Sequence, residues 1–349
     1  MNYKNFLKQH PFNFNIDKLD LIQKNILRSL NNHHLNKCKE YKKIIKNIYD
    51  EKKYRSNYSN MMLPINLFKN FELKSISNDQ IFRIMLSSGT SGLQSKIFLD
   101  KENALKQKII LHKIVSEYLG SERLPMLIID KNPKFLKNKM TAKEAAIIGF
   151  SIFGKNHTFL LDEFEKINFK DLNNFLEKYQ NKKFLIFGFT SQIFENLIEK
   201  KISNKIDMSN AICLHGGGWK KIEKKKISKT LFKKKLSNKF GIKTVINYYG
   251  LIEQTGSIFL ESPKCGFFHN SIFSDIIIRD PMFNIRKNKK KGLVQLISVL
   301  PTSYPGHNIL TEDIGEIVGE NDCLCGKGGK YFLIHGREEK SEIRGCSDV

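Results

Sequence analysis

The amino-acid sequence predicts an α/β fold: a largely parallel sheet with helices between its strands, followed past residue 256 by a β-rich part. Short apolar runs at 125–130, 184–189, 211–214 and 244–247 alternate with helical patterns such as 191–200. Beyond residue 256 the runs shorten, at 257–260, 276–278, 293–299, 314–318 and 331–334, and Gly and Pro turns join them. The chain has 349 residues, 40% of them hydrophobic, enough to bury a large core in one large domain or two unequal ones.

In chain order, apolar residues recur at helical spacing from 17 to 50 (Leu19, Ile22, Ile26, Leu27, Leu30, then Tyr41, Ile44, Ile45, Ile48). This predicts two amphipathic helices parted at Asn31-Asn32, with His33 and His34 exposed at the break. Pro64, Leu67, Phe68 and Phe71 mark an extended entry segment. Residues 80–86 predict a strand that runs into Ser87-Ser88-Gly89-Thr90-Ser91-Gly92, after which 96–99 is strand-like and 101–119 helical. The Lys-rich stretch 220–239 has a helical pattern and predicts a solvated face. No internal repeat is present.

Lys and Arg total 59 against 35 Asp and Glu, a net charge of +24. A basic surface attracts polyanions. Here Lys and Asn are spread throughout, Arg is scarce and no aromatic strip interleaves the basic residues, which predicts a solvated surface and no specific nucleic-acid partner. Residues 1–10 are polar and no apolar run is long enough for a signal peptide or a membrane span, so the expected location is the cytoplasm. In a reducing compartment six cysteines point to metal or nucleophile chemistry rather than to a disulfide framework. Cys38 and Cys213 fit a core. Cys265-x3-His269 and Cys323-x-Cys325 offer four soft ligands, the number a tetrahedral structural Zn²⁺ takes, with buried reduced thiols as the alternative.

The sharpest motif is Leu86-Ser-Ser-Gly-Thr-Ser-Gly-Leu-Gln-Ser-Lys96. Gly89 and Gly92 free the backbone to turn its N–H groups inward, the hydroxyls of Ser87, Ser88, Thr90 and Ser91 add donors, and Lys96 supplies a cation. Such a loop suits a polyphosphate. Its spacing is not that of the GxxxxGK[ST] loop.

The loop resembles the Ser-Ser-Gly-Thr-Thr-Gly-x-Pro-Lys signature of the adenylate-forming superfamily, with Gln94-Ser95 where the Pro stands. Three further matches follow in order: Tyr248-Tyr-Gly-Leu-Ile-Glu-Gln-Thr-Gly256, Thr311-Glu-Asp-Ile-Gly315 and Gly336-Arg337. Leu63-Pro to Phe68-Lys69, Phe187-Gly-Phe-Thr190, His215-Gly-Gly-Gly-Trp-Lys220 and Glu342-Ile-Arg-Gly-Cys-Ser347 resemble the LuxE-type acyl-protein synthetases. That resemblance implies the superfamily's large N-terminal-type domain with a β-rich subdomain, spanning 1–335, and a short tail, 336–349. It implies ATP and Mg²⁺ as cofactors and a carboxylic acid, a fatty acid in the family reading, as substrate. By resemblance, the 87–92 loop and Lys96 hold phosphates and Glu253 holds Mg²⁺. Tyr249 and Gly250 pack by the adenine, Gly216, Gly217 and Gly218 approach its edge, and Asp313 and Arg337 take the ribose.

The resemblance further implies that Cys346 accepts the acyl group as a thioester and passes it to a reductase or carrier protein. Arg344 and Lys340 suit a lowered thiol pKa; an inert terminal thiol is the alternative. Two departures bear on mechanism. Ile252 replaces a Thr that elsewhere contacts phosphate, and the stretch after Arg337 lacks the hinge Asp. The sequence ends at Val349 with no match to the superfamily's separate C-terminal domain. Rival expectations are an acid–CoA ligase, an activating enzyme for surface polysaccharide or amino-acid modification, and a basic nucleic-acid-binding protein with a degenerate nucleotide fold.

Overall fold

The computed structural model describes residues 1–49, 61–87, 93–133, 139–200, 202 and 206–337. Helices cover Tyr3–Lys8, Leu19–Lys37 and Lys39–Ile48. The predicted break at Asn31-Asn32 is absent: Asn31 is buried and its side-chain oxygen accepts a 2.8 Å bond from the Tyr41 hydroxyl. That tertiary partner satisfies the amide that would otherwise compete with the helix backbone. The chain breaks instead at Cys38, extended in backbone, whose sulfur caps the next helix by accepting from the Tyr41 N–H.

His33 and His34 are therefore helical, and the expectation of exposed loop histidines is corrected. His34 is buried, with Nε2 3.1 Å from the Pro301 carbonyl and Nδ1 2.7 Å from Ser75 Oγ. A carbonyl only accepts, so Nε2 carries the proton and Nδ1 accepts from the serine. Its ring stacks on His307 at 5.0 Å, while His33 Nε2 donates to the Thr302 carbonyl at 3.0 Å. These bonds fasten the long helix to the 301–307 segment.

The strands, in chain order, are β1 (Leu63–Pro64), β2 (Arg83–Leu86), β3 (Lys96–Leu99), β4 (Leu124–Lys131), β5 (Lys139–Thr141), β6 (Gly154–Leu161), β7 (Phe184–Phe189), β8 (Ala211–Gly216) and β9 (Thr244–Gly250). Then come β10 (Ile258–Glu261), β11 (Phe268–His269), β12 (Ser274–Arg279), β13 (Gly292–Ser298), β14 (Asn308–Glu320) and β15 (Lys330–Arg337). The large sheet runs β12-β13-β14-β15-β11-β10-β9-β8-β7-β4-β6, with β1 parallel to β14. From β6 to β9 every pairing is parallel; from β9 to β12 every pairing is antiparallel. The predicted change of texture near residue 256 is the turn at which this switch occurs. A small sheet, β3-β2-β5, stands apart.

Alternate residues of the parallel strands enter two cores. Met126, Ile128, Leu185, Phe187, Leu214 and Ile246 pack under the helices Lys101–Leu119 and Ala142–Ser151. Leu127, Ile129, Phe184, Ile186, Cys213 and Val245 pack under Phe169–Tyr179, 190–199 and Lys229–Phe240. Burial on both faces explains why these strands are continuous apolar runs. The 220–239 stretch is a 3-10 segment, Lys220–Lys225, followed by the helix Lys229–Phe240. Lys224, Lys225, Lys226, Lys234 and Lys235 are exposed, as a solvated face requires, and other lysines of the stretch also take partners. Lys229 and Lys233 both pair with the buried carboxylate of Glu261. Lys239 donates to the carbonyls of Leu197, Ile198 and Lys200, where a helix end leaves acceptors unpaired. Among the described residues no helix is long and apolar enough to cross a membrane.

Candidate functional site

The turn from β9 to β10 carries Glu253, a buried carboxylate, and is fastened on every side. Gln254 Nε2 donates to the carbonyls of Leu296 and Gly306 at 3.0 and 2.8 Å. The Thr255 N–H donates to the Tyr304 hydroxyl at 2.8 Å, and Ser298 Oγ donates to the Thr255 carbonyl at 2.6 Å. The Gly256 N–H reaches Gln107 Oε1 at 2.6 Å. Gly256 has φ +93°, and a Cβ there would lie 2.4 Å from Ser298 Oγ, so only glycine closes the turn. Ile252 lies on the same turn.

Asp313 of β14, reached by Tyr249 from the strand that leads into this turn, is buried and pairs across the ladder with Arg337 of β15. Its Oδ2 accepts the Tyr249 hydroxyl at 2.6 Å and its Oδ1 lies 3.6 Å from Arg337 Nε. Burial raises the carboxyl pKa, while Tyr249 and Arg337 act to hold it down. Tyr249, on β9, stacks on Phe259 at 6.0 Å, and burial together with Asp313 pushes its phenol well up. Its hydroxyl is thus committed to Asp313, a partner that the expected adenine-packing role did not include. Arg337 and Gly336 belong to β15, so the strand crosses the predicted boundary between 335 and 336.

The Gly216–Gly218 segment leaves the carboxyl end of β8. A Cβ on Gly216 would sit 2.4 Å from the Tyr248 ring, and Gly217 has φ +74°. Gly217 and Gly218 are exposed. Thr190 Oγ1 lies 3.1 Å from the Gly216 carbonyl, 3.0 Å from the Gly217 carbonyl and 3.0 Å from His215 Nδ1. His215 is buried, and burial with Lys233 and Lys229 nearby pulls it down to about 3, so the ring is neutral. Thr190 and His215 hold the glycine turn, a role the motif match alone did not assign. Gly250 lies against the Ser257 carbonyl, 3.0 Å from where its Cβ would stand.

Of the phosphate-loop residues, Ser88, Gly89, Thr90, Ser91 and Gly92 lie outside the described residues, as does Cys346 with Lys340 and Arg344. The base of the loop is described. The Ser87 N–H donates to the Ser95 carbonyl at 3.0 Å, the Ser95 N–H donates to Ser87 Oγ at 2.8 Å, and Gln94 Nε2 donates to the Ser87 carbonyl at 2.9 Å. Gln94-Ser95, the departure from the superfamily signature, is therefore bonded back to Ser87 at the base of the loop. Lys96 is exposed and its ammonium lies 3.5 Å from Glu72. Ile97 and Leu99 of β3 pack in one core with Tyr304, and Met85 and Leu251 lean on it, which joins the loop base to the Glu253 turn.

Two other features lie off these motifs. Asp130, at the carboxyl end of β4, is buried with Oδ1 2.9 Å from Lys143 Nζ, and its Oδ2 has no hydrogen-bond partner. Burial raises its pKa against the pull of Lys143. A cavity of about 1200 Å³ opens there, lined by Thr141, Lys143 and His157 among others. The chain leaves β4 toward β6 and then returns to β7 on the other side, the topological switch at which open α/β sheets bind ligands. An Asp ending an apolar run was the available signal. The second feature is the set Cys265, His269, Cys323 and Cys325, whose ligand atoms all lie within 4.8 Å of one another.

Searching curated protein sequences with the chain gives no match. Among solved structures it is similar to an open conformation of 2-hydroxyisobutyryl-CoA ligase in complex with 2-HIB-AMP and CoA (TM-score 0.66, 11% identity, 91% of this chain and 70% of that one). It is also similar to ATP-bound MatB from Rhodopseudomonas palustris (TM-score 0.51, 13% identity, 75% of this chain and 49% of that one). The amide bond synthetase McbA from Marinactinospora thermotolerans matches at TM-score 0.50 and 13% identity, over 74% of this chain and 49% of its own. The chain thus spans about half the length of MatB and McbA. These likenesses establish the fold as that of adenylate-forming enzymes. Residues 4–349 match the family described as acyl-protein synthetase, LuxE, and the chain belongs to that family.

Proposed function

We propose that the chain uses ATP to activate a carboxylic acid as an acyl-adenylate and transfers the acyl group to the thiol of Cys346. The observation that carries this reading is the meeting of Asp313, Tyr249 and Arg337, with Tyr249 on the strand that leads into the turn holding Glu253. Asp313, steered from two sides, suits the paired hydroxyls of a ribose, and Arg337 suits the ribose or a phosphate next to it. The exposed Gly217 and Gly218 would let backbone approach the adenine edge, and Tyr249 and Gly250 would pack by its ring. The 87–92 loop donates to phosphates, with Lys96 at its exit. Glu253 would hold a Mg²⁺, which would supply neutralisation of the phosphate charge.

In the first half-reaction a carboxylate oxygen of the acid attacks the α-phosphorus, and the bond to pyrophosphate breaks. The nucleophile is already an anion, so positioning and charge stabilisation suffice without a general base. In the second the Cys346 thiolate attacks the acyl carbon, AMP leaves with the electron pair, and a thioester remains. A fatty acid as substrate and a reductase or carrier protein as acceptor follow from the family reading.

Acid-dependent exchange of labelled pyrophosphate into ATP tests the first half with a panel of fatty, aryl and amino acids. Exchange with at least one acid is expected; its absence across the panel refutes the reading. Cys346→Ser should keep the exchange and lose the acid-derived label on the protein. Free acyl-CoA formed when coenzyme A is supplied would instead assign the acceptor as a soluble thiol.

A further inference from the structure

The Cys265, His269, Cys323 and Cys325 set lies far from the proposed nucleotide site. On the β14–β15 ladder Asp313 faces Arg337 at one end and Glu320 faces Lys330 at the other. Seven residues of strand separate those ends, roughly 23 Å at about 3.3 Å per residue. The four ligands come from two turns that this ladder brings together: Cys265 from the β10–β11 turn, His269 from β11, and Cys323 and Cys325 from the β14–β15 turn. β11 pairs with β15 at His269 and Tyr331, which fixes the two turns side by side.

We infer that these four side chains bind one Zn²⁺ that staples the two turns. Tetrahedral zinc has Zn–S near about 2.3 Å and Zn–N near about 2.0 Å, so neighbouring ligand atoms lie about 3.5–3.8 Å apart. Here Cys325 Sγ is 3.2 Å and Cys265 Sγ 3.9 Å from His269 Nε2, and no pair exceeds 4.8 Å. The imidazole is oriented for it. His269 Nδ1 lies 3.1 Å from the Phe267 carbonyl, which can only accept, so Nδ1 holds the proton and Nε2 offers its lone pair to the thiols. Both turns close on glycines in the left-handed region, Gly266 at φ +76° and Gly326 at φ +80°, which brings each cysteine around tightly. Three thiolates and an imidazole select zinc over Mg²⁺ or Ca²⁺, whose ligands are oxygens. Such a site would carry one net negative charge, and Lys327 stands two residues beyond Cys325 to offset it.

What the staple steadies is a docking floor for the N-terminus. Lys327 lies 4.6 Å over the rings of both Phe12 and Tyr118. Gly328 and Gly329 abut the Phe14 ring, so close that a Cβ on Gly329 would stand 2.3 Å from it. The Ile272 N–H donates to the Pro11 carbonyl at 2.8 Å. Residues 11–14 therefore rest on the turn that the metal would hold, and metal loss should release them first.

The test is metal analysis of the full chain purified under reducing conditions without chelator. One zinc per chain is expected. Cys323→Ser/Cys325→Ser should lose it, while Cys346→Ser retains it. Chelation should lower Tm by several degrees and make the first protease cleavage fall near residues 9–16. Should the double variant fail to fold, cobalt incorporated in place of zinc during expression of the wild type reads the same ligands, through thiolate-to-cobalt charge transfer and tetrahedral d–d bands. Purified chain with no bound zinc and no such cobalt spectrum would overturn the inference, as would a disulfide among Cys265, Cys323 and Cys325.

Discussion

The parallel and antiparallel halves of the large sheet use their interiors differently. In β7 all six residues, Phe184–Phe189, are buried and none is charged. β14 alternates buried and half-buried positions from Thr311 onward, and on its buried parity stands the carboxylate of Asp313. The neighbouring strands add Arg279, whose Nε donates to Gln295 Oε1 at 2.7 Å, and Gln295, whose Nε2 donates to Asn308 Oδ1 at 2.7 Å. A buried polar group is stable only when bonded. The parallel half thus sets the shape chiefly through apolar area, with Asp130 and His215 as exceptions, and the antiparallel half buries a connected set of polar and charged side chains.

Acid sharpens that comparison most. His34 and His307, between the N-terminal helix and the antiparallel half, and His215, in the parallel half, are all buried neutral. Burial depresses His34 well below 6.5 and takes His215 and His307 to about 3. The unfolded chain binds these protons below about 6.5 and the folded chain does not, so stability is intact above that pH and falls as pH drops toward the folded values. The slope is about 1.4 kcal/mol per pH unit for each such histidine. Tm measured from pH 7 downward should fall steeply, and a His215→Asn variant should lose one histidine's share of the slope. A flat Tm through that window would mean the rings are protonated in the fold.

Next in size is a pair of substitutions, one in each half. Asp313→Asn removes the charge that Tyr249 and Arg337 address, and the acid-dependent pyrophosphate exchange should fall by about 10- to 10²-fold, the cost of a charged hydrogen bond of about 1.5–3 kcal/mol. Phe187→Leu, in the apolar core, should cost about 1–3 kcal/mol of stability by loss of packing while each folded molecule keeps its exchange rate. Because burial raises the Asp313 pKa, KM for ATP should also climb as pH falls, starting above the usual carboxylate range, and the Asn variant should lose that dependence. Equal effects of both substitutions on exchange would erase the division of labour.

How much of this was legible follows the same line. β3, β7 and the helix Lys101–Leu119 appear at their expected residues, because strands buried on both faces and a capped amphipathic helix write themselves in apolar spacing. Asp313 and Arg337 lie 64 and 88 residues beyond Tyr249, yet the three motif residues meet, Asp313 and Arg337 on paired strands and Tyr249 by its hydroxyl from β9. Spacing could not reveal His34, because whether a histidine at a helical position is exposed depends on Ser75, Pro301 and His307, all distant in sequence. Lys229 and Lys233 look like solvated lysines until β10 supplies Glu261. The helix Phe169–Tyr179 was legible too, since Leu172, Phe175, Leu176 and Tyr179 recur at helical spacing and pack on one core.

The smaller effects test the joints between the halves. Thr190 belongs to the parallel half yet fastens the glycine turn that faces the proposed adenine. Thr190→Val keeps the shape and removes the hydroxyl, leaving the Gly216 and Gly217 carbonyls without it, a loss of about 0.5–1.5 kcal/mol. KM for ATP should rise several-fold with little change in Tm, and Thr190→Ser should restore it. The Glu72–Lys96 pair is exposed on both sides, and such pairs contribute about 0–1 kcal/mol. Glu72→Ala should therefore leave Tm almost unmoved. Its use is diagnostic: releasing the Lys96 ammonium should raise exchange slightly if that ammonium turns to phosphate, whereas Lys96→Ala should depress it. If the two substitutions act alike on exchange, Lys96 serves the fold and the phosphates are held by the loop alone.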